Sequence, residues 1–511
     1  MSQHKQLNLQ NDYQALFALS KKIRLFDSIS HLLEWDQETY MPKKGNLIRA
    51  DQLELLASLS HQEKTSKKFQ TALAKLINLD TGAILGKHLT DHQKAALREW
   101  RRDFLKSVAL PNPFVKAFAR LSCESMVAWS EARKANRFSD FAPYLERIIE
   151  MSRQKAEYLG YKHHPYDALL DCFEPGATTL EIDAIFKKVK KGVRPLLAQI
   201  VESKQVDDRF LHGKFPADKQ LAFGRELLTA MGYDLEQGRL DLSNHPFSMS
   251  IHPSDSRVTT RIHRTCLFDS ISAVLHEGGH SLYEMGLLPE YYGSPLCEAV
   301  SLGIHESQSR LWETRIGQSK PFWKHFLPPL KAQFKQLKDV SLDQFYCAIN
   351  KVSPTFIRVE ADEVTYSLHV ILRFELEKQL IEGSLAVSEL PAAWNGLMAT
   401  YLGITPPTDR EGCLQDIHWS MGAFGYFPTY TLGNLYAAHF FKAFEKEFPD
   451  WEKRVAQGEL LFLREWLRTH IHQYGRMHSA HDLLKQVSGQ KTLSETPYIA
   501  YLTHKYQAIY K

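Results

Sequence analysis

Two histidines four residues apart, with a glutamate between them, are the residues in this sequence best placed to do chemistry: His276-Glu277-Gly278-Gly279-His280. On a helix, residues i and i+4 share one face, so both imidazoles can reach one tetrahedral cation. Glu277, one step past the first histidine, stands where a carboxylate can take a proton from water activated at the metal. The flanking residues predict a helix from Asp269 to Gly286. Asp269 is its expected cap, Ile271, Val274, Leu275 and Leu282 its buried stripe, and Gly286 with Pro289 its end. Each glycine inside a helix costs about 1 kcal/mol relative to alanine. Two in succession predict a close approach to the backbone, and a peptide lying along the helix would need that clearance.

A catalytic zinc takes three protein ligands and keeps one position open. The third is expected on a second helix, predicted from Glu298 to Gln318, which contains His305-Glu306-Ser307-Gln308. Glu306 and His305 both qualify. Glu298 and Glu313 are weaker candidates, because glutamates on helices are usually solvated. The alternative is a non-catalytic, zinc-stabilised protein, but such sites are commonly closed by four ligands rich in cysteine. The six cysteines here are scattered, with no CxxC pair and none at ligand spacing to the motif.

The elements that must position these groups are mostly helices. Apolar residues recur at helical spacing in Asp12–Leu33, Asp91–Val108, Pro143–Leu159, Thr179–Val201 and Val359–Glu382. Thr178 with Glu181 and Ser341 with Gln344 read as helix starts. Leu240 to Arg264 departs from this pattern: its alternation, prolines and β-branched residues predict a short antiparallel ribbon leading into the metal helix. An edge of such a ribbon can pair with an extended peptide. The fold class is therefore predominantly α, a single unit over residues 1–511 with two helical lobes around a groove and a small β-ribbon at about 240–264 beside the metal helices.

Composition narrows the function further. The 63 basic and 59 acidic residues nearly balance at +4, and no dominant basic face for nucleic acid is apparent. No signal peptide or membrane span is read in the sequence. Sparse, scattered cysteines fit a reducing compartment, so the expected location is cytoplasmic.

Beyond the metal motif, His245-Pro246-Phe247, Asp255-Ser256-Arg257-Val258-Thr259, Ile357-Arg358 with Ala361-Asp362, and Gly412 to Trp419 with Gln415-Asp416 and His418 follow in order. Together with His276–His280 and His305–Gln308, they make the sequence resemble the M32 family of metallocarboxypeptidases, the carboxypeptidase Taq type, along nearly its whole length. The resemblance implies a helical, saddle-like fold with a deep groove, a homodimer, zinc that cobalt can replace, and removal of single C-terminal residues from peptides with broad specificity. It also implies that His276, His280 and Glu306 bind the metal, which settles Glu306 over His305.

An exopeptidase must hold a free terminal carboxylate, and a guanidinium fork matches one bidentately. Arg358 is the expected clamp, against the alternative of a surface ion pair with Glu360 or Asp362. The resemblance implies that Arg257 and Arg261, on the ribbon, close one end of the groove, either anchoring the carboxylate or limiting peptide length, with His245 also facing substrate. The glycine- and aromatic-rich stretch Gln415–Tyr430 reads as a loop against the groove. Within it, His418 and either Tyr426 or Tyr430 are expected to donate to the oxyanion of hydrolysis. The nearest rival activity is that of an HExxH-plus-Glu oligopeptidase or dipeptidyl carboxypeptidase, with the same metal site and a different carboxylate clamp.

Overall fold

Local start signals and apolar periodicity agree along most of the chain, and helices form accordingly. Thr178 and Ser341 each open a helix with a capping box, at Thr179–Glu202 and Leu342–Ile349, and Thr90 does the same at Asp91–Ala109. In the computed structural model, which describes residues 2–86 and 88–511, the chain is predominantly helical with one small sheet.

Buried apolar side chains fall into two clusters. The smaller, with Tyr13, Leu16, Phe69, Leu97 and Trp100, lies among the helices Ser2–Thr39, Lys67–Ala74 and Asp91–Ala109. The larger contains most of the remaining core, including Val274, Leu275, Trp312, Phe374 and Phe440. No helix among the described residues is long and apolar enough to cross a membrane.

The sheet has three strands, β1 (Leu240–Leu242), β2 (Ser248–His252) and β3 (Asp255–Thr260), in the order β1-β3-β2. β2 and β3 form the expected antiparallel hairpin, but β1 runs parallel to β3. The link Ser243–Phe247 makes this possible. The Phe247 N–H donates to Thr259 Oγ1 (3.0 Å), and Ser243 Oγ lies 2.7 Å from that hydroxyl, so the chain folds across β3 to its far side. On β2, the Ser250 carbonyl accepts from His31 Nδ1 of the first helix (3.0 Å).

The sheet positions the metal helix, Phe268–Gly286. Ser256 and Ser281 hydroxyls meet at 2.5 Å, and Thr260 Oγ1 donates to the Ser270 carbonyl (3.3 Å). Two predicted helix starts move downstream. The helix expected from Val359 begins at Tyr366, because Asp362 Oδ1 accepts the Val364 and Thr365 N–H groups (2.9 and 3.0 Å) and holds the chain in a turn. The helix expected from Glu298 starts at Leu302, capped by the Ser301 hydroxyl, and widens into a π-turn over Leu311–Ile316.

Candidate metal centre

The predicted stripe Ile271, Val274, Leu275 and Leu282 is buried, which turns the opposite residues of the metal helix toward the helix Leu302–Arg310. Asp269 is not the cap. It lies in the first turn, where its carboxylate accepts from Cys266 Sγ (3.1 Å). The two glycines serve helix packing and not peptide clearance. A Cβ on Gly279 would lie 2.7 Å from the Gln308 carbonyl and from Ser309 Cα, so the two helices touch backbone to backbone there. A Cβ on Gly278 would instead meet the side chains of Leu228 and Met231.

This contact brings Glu306 to the histidines. Glu306 Oε2 lies 3.8 Å from His276 Nε2 and 3.4 Å from His280 Nε2, and the three donor atoms fall within 4.8 Å of one another. Ligands about 2.0–2.1 Å from a tetrahedral zinc stand about 3.3 Å apart, so the spacing fits. Glu313, a weaker candidate from sequence, is not in this cluster but supports it. His276 Nδ1 donates to Glu313 Oε2 (2.8 Å), which turns the Nε2 lone pair toward Glu306. Glu313 is fixed in turn by Ser272 and Arg310, both at 2.8 Å. His305 points elsewhere: its Nε2 pairs with Glu284 (3.0 Å), and its ring stacks on His280 at 4.3 Å.

The electrostatics favour a divalent cation. Glu306 and Glu313 share one guanidinium, Arg310, and Glu277 adds a third carboxyl, so the cluster holds more acidic groups than permanently charged basic ones. Burial would lower the pKa of His276, but the carboxylates of Glu306 and Glu313 overcome it and raise it to about 9. The same field that attracts a proton attracts a metal. Burial, with His305 and His276 nearby, lowers His280 to about 4, so its imidazole is neutral and free to ligate. Burial raises Glu277 to about 7, against the pull of His276. Such a value suits a group that takes and returns protons near neutrality.

The remaining predicted residues gather in two groups. In the first, His418 Nε2 lies 3.2 Å from the Tyr430 hydroxyl, and the ring of Tyr426 stands 5.1 Å from that of His418. Burial, reinforced by Arg358, holds His418 well below its usual pKa, at about 3, so it is a neutral imidazole. Its Nδ1 is buried with no partner among the described residues. Burial raises both Tyr426 and Tyr430, and the Glu306 carboxylate adds to the effect on each, so both phenols lie within the field of the metal cluster. Tyr430 belongs to the first turn of the helix Pro428–Glu447 and not to the loop.

The second group surrounds Arg358, which is buried and pairs with neither Glu360 nor Asp362. Its Nε and Nη2 donate to Asp416 Oδ1 (3.1 and 2.9 Å) and its Nη1 to the Tyr366 hydroxyl (3.1 Å). Arg373 Nε occupies the other Asp416 oxygen at 2.7 Å. Two guanidiniums therefore share one carboxylate.

On the sheet, Arg257 is held by Asp255 through two bonds of 2.8 Å and stacks on Trp35 at 4.3 Å. Arg261 makes no ion pair among the described residues. His245 is exposed, with its carbonyl accepting from Ser243 Oγ (2.6 Å).

Sequence reasoning missed Asp416 as the partner of Arg358, Arg310, and Gly433. A Cβ on Gly433 would lie 2.6 Å from Glu306 Cβ, so the helix Pro428–Glu447 needs a glycine there to close on the helix Leu302–Arg310. A lone glycine within an apolar helical pattern was its sole signal.

Known proteins resemble this chain in both sequence and fold. The model of the family described as Carboxypeptidase Taq (M32) metallopeptidase matches residues 15–506. Thermostable carboxypeptidase 1 of Thermus thermophilus is 42% identical over 509 residues, covering 98% of this chain and 99% of that protein. Carboxypeptidase 1 of Bacillus subtilis is 37% identical, covering 97% and 98%. The crystal structure of an M32 carboxypeptidase from Deinococcus radiodurans R1 is similar with a TM-score of 0.94 at 36% identity, covering 98% of this chain and 99% of that one.

The glycine contacts give a test. Gly279→Ala forces two backbones apart and is expected to cost about 1–3 kcal/mol by overpacking and to weaken metal binding. Gly278→Ala meets flexible side chains and should do less of both. Chemical denaturation and metal titration of the two variants decide it, and the reverse order would disprove the packing role.

Proposed function

The chain belongs to the carboxypeptidase Taq (M32) metallopeptidase family, and from that premise we propose that it removes single residues from the C-termini of peptides with broad specificity, using zinc held by His276, His280 and Glu306. It is a hydrolase, and its family implies a metal. The observation that carries the finer reading is the pairing of two opposite fields: a metal cluster with excess negative charge, and the Arg358–Arg373–Asp416 group with excess positive charge. When bound, zinc supplies a Lewis acid that polarises the carbonyl and lowers the pKa of water; cobalt can replace it in the same donor set.

Glu277 takes a proton from the attacking water and returns it to the amide nitrogen as the C–N bond breaks. Tyr426 donates its hydroxyl hydrogen to the oxyanion, with the neutral imidazole of His418 as the second donor and Tyr430 holding that ring. Arg358 has five N–H groups, and the bonds to Asp416 and Tyr366 use three. One remains on each terminal nitrogen, the pair that a substrate's terminal carboxylate can accept. Arg257 and Arg261 close the groove's end, with His245 at its rim. Because Arg358 is already partly engaged, the oligopeptidase reading stands as the alternative, with Arg261 as the freer guanidinium.

The proposal also includes one peptidase unit over residues 1–511, a cytoplasmic location and a homodimer. Free cysteines support the location. The exposed row Leu25, Ile29 and Leu32 on one face of the first helix supports the dimer.

Chelation is expected to abolish hydrolysis while helical circular dichroism persists, because a core of this size does not depend on one ion. Collapse of the helices would favour a structural metal. For Glu277→Gln, we expect stoichiometric metal and a loss of about 10²–10⁴ in kcat. Lost metal, or near wild-type turnover, would exclude Glu277 as the base.

Arg358→Ala is expected to cost about 2–5 kcal/mol in kcat/KM on free-acid peptides. Amidated peptides should be slow already, with little further change from the substitution, since both perturbations remove the same interaction. Kinetics of the four combinations test this. Full additivity moves the clamp to Arg261 or Arg257, and rapid cleavage of amidated peptides by the wild type overturns the exopeptidase assignment.

A further inference from the structure

Glu377 lies in the helix Tyr366–Glu382, fully buried, with no ion pair among the described residues. Its three partners all donate. Trp419 Nε1 reaches Oε1 (2.8 Å), while the Tyr166 hydroxyl (2.5 Å) and the Gly425 N–H (3.1 Å) reach Oε2. A buried carboxylate that feels Arg373, itself paired with Asp416, but makes no direct ion pair is a costly way to fill space. A glutamine of nearly the same shape would carry no charge, but its amide has one acceptor oxygen and would turn an NH₂ toward a donor. The carboxylate is suited to gathering three donors at once.

The origin of those donors is what matters. Trp419 directly follows His418, and Gly425 directly precedes Tyr426. Glu377 thus holds both ends of the excursion that separates the two residues assigned to the oxyanion. The excursion turns through left-handed backbone at Gly422 (φ +71) and Gly425 (φ +94), conformations that only weakly fix themselves. Its return is pressed onto the short helix Pro165–Leu170, since a Cβ on Gly425 would lie 2.7 Å from the backbone of Leu169 and Leu170. Tyr166, the third donor, belongs to that same helix. Helix, loop and support therefore converge on one carboxylate.

We propose that Glu377 is a positioning residue for peptide hydrolysis, its carboxylate fixing the backbone at His418 and Tyr426 so that both side chains meet the developing oxyanion. This rests on the assignment of those two side chains as donors. Glu377 acts through them and touches no substrate.

The test uses the metal-loaded enzyme and an N-blocked free-acid peptide. Glu377→Gln should lower kcat about ten- to a hundredfold, as misplacement of reacting groups does. KM should stay within about twofold, with metal content and helical circular dichroism unchanged. Trp419→Phe keeps an aromatic side chain, though a smaller one, and removes one donor of three, so its loss should be smaller. Combined with Glu377→Gln it should add little, because both break one link. A lowered melting temperature with kcat intact would make Glu377 purely structural and overturn the proposal. If Glu377→Gln does not fold, Trp419→Phe carries the test alone, and unchanged kcat in that variant overturns the proposal as well. Separately, His418→Ala and Tyr426→Phe measure the underlying assignment. Full kcat in both would sink the oxyanion reading itself, whereas a loss there with none in Glu377→Gln rejects only the positioning role.

Discussion

Contact between helix backbones is the constraint on which the metal centre depends. A carboxylate on one helix can come within 3.4 Å of an imidazole on another only if the helices approach closely. Gly279 supplies that approach on one side of Glu306 and Gly433 on the other. Each glycine lowers helix stability by about 1 kcal/mol, and the large apolar core around them offsets that loss. The geometry is then set by packing that any methyl group would disturb, and not by a flexible loop. Glu313, bonded to His276 from the following π-turn, extends the same logic outward.

Electrostatic organisation follows from that packing. Burial strips water from three carboxylates and two imidazoles, so their mutual fields are only weakly screened. The resulting negative cluster stands near a second buried group of opposite sign, in which Arg358 and Arg373 share Asp416. Tyr426 responds to Glu306, Glu277 and Arg358, which places the aromatic loop between the two fields. A C-terminal residue has two charge demands: its scissile carbonyl becomes negative during hydrolysis, and its carboxylate is negative throughout. On the proposed reading, a cation site and a cationic clamp on either side of neutral donors match both demands.

What the sequence made legible was local. The spacing of His276 and His280 is a property of one helix turn, and the buried stripe and the capping boxes are properties of neighbouring residues, so all could be read directly. Glu306 could not be chosen over His305 from spacing, because the choice depends on which face of a second helix meets the first. Only the resemblance to a family resolved it. The roles of Gly278 and Gly279 were misread for the same reason: a close approach was legible, but not that a helix made it. Asp362 ended a predicted helix early by offering its carboxylate to two N–H groups, a competition that apolar periodicity does not register. The parallel pairing of β1 depended on Thr259 and a five-residue link, and Asp416, Arg310 and Gly433 became visible only when distant segments met.

Buried acids show how the two halves of the site are held together. Glu174 lies at the start of the ligand helix, where its carboxylate accepts the Gly303 N–H (2.9 Å), and a Cβ on Gly303 would lie 2.6 Å from it. A negative group there also suits the helix dipole. Glu377 lies under the loop between His418 and Tyr426. Burial raises both carboxyls to about 7. A carboxyl whose folded pKa exceeds its unfolded value stabilises the fold fully below that unfolded value and loses the contribution as pH rises through about 7. Near neutrality, then, neither acid is explained by global stability. Each is explained by what it grips. Glu174 and Tyr166, the donor to Glu377, flank one short stretch of chain, so the ligand helix and the oxyanion loop are aligned against a common support. Two acids poorly suited to a core are retained where displacement of either half would separate the His276–His280–Glu306 cluster from His418 and Tyr426.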